Sequence, residues 1–271
     1  MPPRPIYEAE NLNPAYQLRY AWTAWPSRGP VPEPLADEAW RNLQTAWDSD
    51  GLRALEPTWS RDKIQILFST TPDVNPVFLA ARAKGRLDHA YRQAGQACEF
   101  SRKVGLRSVG ENTRADVEQY IASQVSRASF ADSQYQRSLE KFIVCDSTVL
   151  LAEPSETRSG RYWYNLHIVL VSADRAPFAE PELGLIRDRS LEIAAKKGHR
   201  ISRLAVMPDH LHIALRGNLD HSPQEIALAF QNNLAFALGQ NAVWKHTYYA
   251  GTFSEYDMDA IRTAKSSQRS G

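Results

Sequence analysis

Val206-Met207-Pro208-Asp209-His210-Leu211-His212-Ile213-Ala214-Leu215 is the stretch on which the reading of this chain turns. Along an extended strand, successive side chains point to opposite faces, so His210 and His212 share one face while Leu211 and Ile213 share the other. The apolar pair turns to a core, and two imidazoles stand side by side on the opposite surface. Imidazole nitrogen binds Mn²⁺ or Zn²⁺ more readily than Mg²⁺, so such a pair is half of a divalent metal site. It needs further ligands and a substrate oxygen to complete the shell. In isolation a His-x-His pair is more often an edge-strand pair satisfied by backbone or water. What surrounds it decides between the two.

Downstream, Ser222, Pro223 and Glu225 supply the cap, first-turn proline and capping box of a helix that Gly239 ends. Ile226, Phe230, Leu234 and Leu238 form its core stripe. Trp244-Lys245-His246-Thr247-Tyr248-Tyr249 follows. With Met207-Pro208-Asp209-His210-Leu211-His212-Ile213, this succession resembles the single-tyrosine HUH transposases, a family that includes small insertion-sequence and REP-associated tyrosine transposases. The resemblance implies a ferredoxin-like (RRM-like) α+β fold in which a later helix carries a nucleophilic tyrosine and, four residues on, a glutamine that helps hold the metal. That helix falls at Met258 to Gln268. Gln268 is in place, but Ala264 stands at the nucleophile's position.

The missing tyrosine has a counterpart in the first half. Asp62-Lys63-Ile64-Gln65-Ile66 repeats the alternation of Asp209-His210-Leu211-His212-Ile213, with Lys63 and Gln65 in place of the histidines. Phe100 to Gln124 aligns without gaps on Trp244 to Gln268, placing Tyr120 opposite Ala264 and Gln124 opposite Gln268. Thr113 caps this earlier helix with Asp116 three residues on, and Val117, Ile121 and Val125 form its apolar stripe. Tyr120 and Gln124, at i and i+4, are expected to project together. An isolated Tyr-x-x-x-Gln is ordinarily a solvated surface pair. Here the first half keeps the tyrosine without the histidines and the second keeps the histidines without the tyrosine.

Many members of the resembling family are homodimers with composite sites. The resemblance therefore implies two antiparallel sheet-plus-helix domains fused in tandem as a monomeric pseudo-dimer. Residues 1–125 form the repeat with the tyrosine helix, 126–160 a connector, and 161–271 the repeat with the histidine strand. One site would join Tyr120 as nucleophile with His210, His212 and Gln124 as ligands to Mg²⁺ or Mn²⁺. The degenerate second site would hold Lys63, Gln65, Ala264 and Gln268. The implied activity is cleavage and rejoining of single-stranded DNA, often beside a hairpin, through a 5′-phosphotyrosine. The alternative is a domesticated relative that binds a hairpin or repeat without cutting, and a homodimer with fortuitous internal similarity is the remaining reading.

The rest of the chain bounds these readings. At 271 residues with a net charge of +1, it is not globally basic. Basic residues nonetheless cluster, and Arg102, Lys103, Arg107, Lys196, Lys197, Arg200 and Arg203 are candidate phosphate contacts. Trp163, Tyr248 and Tyr249 are candidates for base stacking, although core packing is the commoner role. His167 is either a core histidine or a neighbour of the site. Cys98 and Cys145 lack zinc spacing and are expected to be buried. No run is long and apolar enough for a membrane span or signal peptide, giving a cytoplasmic expectation. Strands are expected at 16–25, 63–68, 144–152, 161–171 and 201–206, and helices at 35–47, 77–97, 130–142 and 183–197.

Overall fold

The computed structural model describes residues 5–96, 98–128, 130, 132–239 and 242–256. In the first half the chain forms β1 (Ala15–Gln17), β2 (Arg19–Pro26), α1 (Asp37–Asp48), β3 (Leu52–Trp59), β4 (Ile64–Thr70), α2 (Pro76–Gln93), β5 (Phe100–Val109) and α3 (Arg114–Ala122). The middle contributes α4 (Gln124–Arg127), α5 (Ser133–Ser138), β6 (Ile143–Cys145) and β7 (Ser155–Glu156). Then come β8 (Gly160–Trp163), β9 (Asn165–Val171), α6 (Glu180–Lys197), β10 (Arg200–Met207), β11 (His210–Arg216), α7 (Pro223–Ala237) and β12 (Tyr249–Thr252). No helix among the described residues is long and apolar enough to cross a membrane.

The strands build two mixed sheets, in the orders β3-β4-β2-β5-β8-β7 and β1-β12-β9-β11-β10-β6. Each contains four strands from one strand-helix-strand-strand-helix-strand run. In both, the first strand of the run lies between the third and the fourth: β2 between β4 and β5, and β9 between β11 and β12. Alternation in the sequence produces this. Trp22, Ile66 and Phe68 face inward from the first sheet and meet Leu43, Trp47, Leu79, Ala83 and Leu87 of α1 and α2. In the second sheet Ile168, Leu170, Leu204, Val206, Leu211 and Ile213 face Ile186, Ile193, Ile226, Phe230 and Leu234 of α6 and α7. Each fully buried side chain of this size adds roughly 1.5–3 kcal/mol to folding. The two cores are one continuous cluster, and Tyr20 and Tyr164 meet at the join with ring centroids 6.3 Å apart.

Each sheet also borrows from the other half of the chain. β1 runs parallel to β12 in the second sheet, and β8 parallel to β5 in the first. Two buried hydroxyls close the junction. Thr252 Oγ1 accepts from the Arg19 N–H at 2.9 Å and donates to the Val109 carbonyl at 2.6 Å. Ser108 Oγ accepts from the Asn165 N–H at 3.1 Å, the same relation seen from the other sheet.

Three sequence expectations need correction, and one strand, β3, was not expected. The strand over 161–171 is two strands in different sheets, divided at buried Tyr164. Its carbonyl accepts from the Gly217 N–H, and its hydroxyl donates to the His221 carbonyl. The strand over 144–152 stops at Cys145, because the Asp146 carboxylate accepts from both the N–H and the hydroxyl of Thr148 and turns the chain. Cys145, on this edge strand, is exposed. β3 went unread because Pro57 and two charged residues mask its alternation, which also slips at a bulge between Ala54 and Glu56.

Replacing Thr252 with valine keeps its shape but leaves the Arg19 N–H and the Val109 carbonyl unpaired at a buried join. The expected loss is about 1–3 kcal/mol in denaturant unfolding, with the secondary structure retained by circular dichroism.

Candidate active site

The second sheet leaves one face uncovered by α6 and α7. Register puts His210, His212 and Ala214 of β11 on that face, with Ala205 beside His212 on β10 and Val169 beside it on β9. His167 lies opposite Ala214, and Tyr249 of β12 lies opposite Val169. The cover comes from the first half, as α3.

Local chemistry specifies α3. Thr113 Oγ1 accepts from the Asp116 N–H while the Asp116 carboxylate accepts from the Thr113 N–H, a reciprocal capping box. Val117 and Ile121 are buried against Ala205, Ala214, Val149, Leu151 and Phe253. The two alanines let the helix approach closely. Glu118, also buried, receives Arg114 at 2.7 Å and Arg203 of β10 at 3.5 Å, and Arg114 also pairs with Glu255. Apolar contact sets how near the helix lies, and this ion cluster sets its rotation.

Docked in this way, α3 carries Tyr120 onto the histidines. Its ring lies edge-on to His212 with centroids 5.4 Å apart, and to His167 with centroids 6.2 Å apart. The phenol is partly exposed, at 38%. Tyr120, His212, His167, Tyr249 and Arg127 line an open cleft of about 670 Å³, together with Asn112, Asp116 and Gln119. The Arg127 guanidinium sits 5.3 Å from the centre of the Tyr120 ring.

The histidines are oriented from behind. His210 Nδ1 donates to the Asp209 carboxylate at 2.6 Å, and Arg175 holds Asp209 in turn at 2.8 Å. His212 Nδ1 meets His167 Nε2 at 3.0 Å. The His210 and His212 rings stand nearly perpendicular, with centroids 5.0 Å apart. Burial, with smaller contributions from the neighbouring His167 and His210, pushes His212 down to about 2, and burial pushes His167 down to about 4. Both rings are therefore neutral at pH 7, the state in which imidazole ligates a metal.

The chemistry of the donors can be tested against a divalent cation. Each histidine of the pair has Nδ1 engaged, which leaves Nε2 for a ligand. Among the described residues no group of three or more His, Cys, Asp or Glu is gathered for metal binding. This neutral set fits an ion that fills its remaining positions with water and phosphate oxygens. It does not fit a self-sufficient structural site. Gln124 is the remaining candidate. The helix is interrupted at Ser123, so Gln124 opens α4 rather than continuing α3, and its Nε2 donates to the Tyr120 carbonyl at 3.2 Å. It is buried beside the backbone of Tyr120.

Other expected residues lie elsewhere. Gln65 is on β4 of the first sheet and Lys63 lies just before that strand; Ala264 and Gln268 fall outside the described residues. The basic candidates split into two groups, neither lining the cleft. Arg102, Lys103 and Arg107 are on β5, and Lys196, Lys197, Arg200 and Arg203 are on α6 and β10. Arg107 lies 3.9 Å over the Trp163 ring, and Arg203 serves Glu118. Tyr248 is buried, whereas Tyr249 lines the cleft. Arg127 was not singled out in the sequence, where nothing distinguishes it from other surface arginines.

Two outcomes follow from these contacts. Glu118→Ala leaves Arg203 without its carboxylate at the helix interface and Arg114 with Glu255 alone. It is expected to reduce stability by about 3 kcal/mol and to speed amide exchange in α3 more than in β11. Because His167 and His212 are neutral when folded but protonate when unfolded, stability is full above about pH 6.5 and falls as the pH drops. The loss continues to about 4 for His167 and about 2 for His212. Denaturant unfolding at pH 5 is expected to show a loss of about 2 kcal/mol per histidine relative to pH 7.5.

No curated protein matches the chain. Among solved structures, a candidate transposase from Deinococcus radiodurans R1 is 22% identical with a TM-score of 0.31, over 41% of this chain and 92% of that one. The regulatory subunit of aspartate kinase from Thermus thermophilus is 11% identical with a TM-score of 0.20, over 81% of this chain and 93% of that one. In sequence, residues 161–263 match the model of the family described as transposase IS200-like. Those residues carry β9 to β12, the histidine strand among them, so the likeness to the IS200-like transposase family lies in the second half of the chain.

Proposed function

We propose that the chain is a metal-dependent single-stranded DNA endonuclease and strand transferase that works through a 5′-phosphotyrosine at one composite site. The observation that carries this reading is the position of Tyr120, brought by α3 from the first half to within 5.4 Å, ring to ring, of His212 in the second. The halves are read as tandem copies of one ferredoxin-like unit. Their shared strand order, exchanged strands β1 and β8, and paired junction hydroxyls support that reading. A fused pair forms the composite site within a monomer, and the site with Lys63 and Gln65 is left without imidazole.

In the proposed reaction Tyr120 Oη attacks the scissile phosphorus. The bond from phosphorus to the 3′ oxygen breaks, the phenol proton passes to solvent, and the leaving oxygen takes up a proton to become a 3′-hydroxyl. The 5′ phosphate stays on tyrosine. Since a phosphodiester replaces a phosphodiester, an incoming 3′-hydroxyl can reverse the step without ATP. His210, His212 and Gln124 would hold Mg²⁺ or Mn²⁺, which supplies Lewis-acid polarisation of the phosphate. Arg127 brings positive charge beside the phenol and the non-bridging oxygens. Tyr249 offers an aromatic face at the cleft for an unpaired base. The substrate expected on this reading is single-stranded DNA next to a hairpin.

One observation favours a second reading, a hairpin-binding relative that does not cut: Gln124 is bonded to the Tyr120 carbonyl of α3 and does not line the cleft. Incubation with labelled hairpin oligonucleotides and Mn²⁺, resolved on a denaturing gel, separates the two. The nuclease reading expects a covalent adduct on Tyr120. EDTA, Tyr120→Phe and His210→Ala should each reduce it at least about 100-fold, while Lys63→Ala leaves it unchanged. Tight hairpin binding with no adduct would favour the second reading, and normal cleavage by Tyr120→Phe would exclude the first.

A further inference from the structure

We infer that His167 is a positioning residue that holds His212 in the tautomer with its proton on Nδ1, so that the Nε2 lone pair is presented to the cation. This rests on the metal-dependent reading proposed above. His167 and His212 are diagonal neighbours on the open face, since β9 sets His167 opposite Ala214 and Val169 opposite His212. Ala214 has no bulk to keep them apart. Their rings stack at 24°, with centroids 5.3 Å apart and His167 Nε2 3.0 Å from His212 Nδ1.

A hydrogen bond between two neutral imidazoles has one donor and one acceptor. If His167 donated, His212 would accept on Nδ1 and carry its own proton on Nε2, the atom the cation needs. If His212 donates, its Nε2 keeps a lone pair. Only the second arrangement serves the site. His210 meets the same requirement with a different partner: the Asp209 carboxylate accepts its Nδ1–H at 2.6 Å. The two histidines are thus held from behind by two different acceptors. His167 Nε2 is occupied with His212 Nδ1, on a ring edge diverging from Nε2, so through that nitrogen His167 acts on its neighbour and not on the ion.

The first sheet supplies an independent observation. There Thr23 lies opposite Gln65 and Ala21 opposite Leu67, as Val169 lies opposite His212 and Ala214 opposite His167 in the second. Aligned at Gln65 and His212, the registers place Ala21 where His167 stands. The half without a liganding imidazole also lacks the residue that would orient one.

The test compares the wild-type chain with His167→Phe, which keeps a stacking ring without an acceptor, and His167→Gln, whose amide oxygen can reach the same N–H. Long-range ¹H–¹⁵N spectra of the metal-free protein read the His212 tautomer, Mn²⁺ titration reads affinity, and thermal unfolding checks that each variant folds. The wild type is expected to show His212 protonated on Nδ1. In His167→Phe the proton should move to Nε2 and Mn²⁺ affinity fall about 10- to 100-fold, and His167→Gln should recover most of both. Nε2–H on His212 in the wild type would overturn the inference. So would Mn²⁺ binding by His167→Phe at wild-type strength while His210→Ala abolishes it. Failure of the folded wild type to bind Mn²⁺ at all would instead overturn the metal reading beneath it.

Discussion

The open face of the second sheet must be covered, and the covering element is not its own. β11 and β10 turn Ala205, Ala214 and His212 away from α6 and α7, and α3 from the other half closes over them with Val117 and Ile121. Everything distinctive about the cleft depends on this docking. The segment linking β5 to α3 is only Gly110 to Thr113, so the helix is delivered across the junction and not back onto its own sheet. Gly110 is suited to that path, because a Cβ there would come within 2.2 Å of the Thr252 carbonyl oxygen. A cleft lined from both halves is therefore a consequence of connectivity before it is a matter of chemistry.

Such a site works only if the halves keep their relation. On the proposed reading, a nucleophile and a ligand pair supplied by different halves of the chain can lose alignment through small rotations, and misplacement by about 1 Å is costly for reactions that depend on position. Here the join is made of strand pairs, buried hydroxyls and a continuous core, with Tyr20 against Tyr164 and Thr252 bonded to both Arg19 and Val109. These contacts are stiffer than a linker. The supporting residues behind the histidines, Asp209 and His167, are themselves on or beside sheet strands, so the orientation of the imidazoles inherits the rigidity of the second sheet.

What the sequence revealed was local, and what it concealed was spatial. The alternation around His210 and His212 reads directly, since period two has only one structural meaning on a half-buried strand. The capping residues Thr113 with Asp116 and Ser222 with Glu225 act within four residues and appear in the fold as read. Tyr164 shows the opposite case. Arg161 to Val171 alternates without interruption, yet contacts from Gly217 and His221, more than 50 positions away, divide it between two sheets. The alanines at 205 and 214 look like unremarkable core residues until a helix is seen to need their small size. Arg127 and the pairing of His167 with His212 exist only once α4 and β9 are placed, so no spacing rule would have found them.

On the proposed reading, a chain of net charge +1 has to accommodate a polyanionic substrate. The two basic groups lie away from the cleft, with Arg203 committed to Glu118, so the cleft is not a broad cationic groove. The two imidazoles that line it, His167 and His212, are held neutral by burial. On the proposed reading, the negative charge that completes a cation's shell must then come from the DNA phosphate. Cation and phosphate each improve the site for the other, and thermodynamic linkage makes that gain reciprocal. A site built this way binds a metal weakly alone and more firmly with substrate present, which confines the polarising charge to the moment when Tyr120 has a phosphorus to attack.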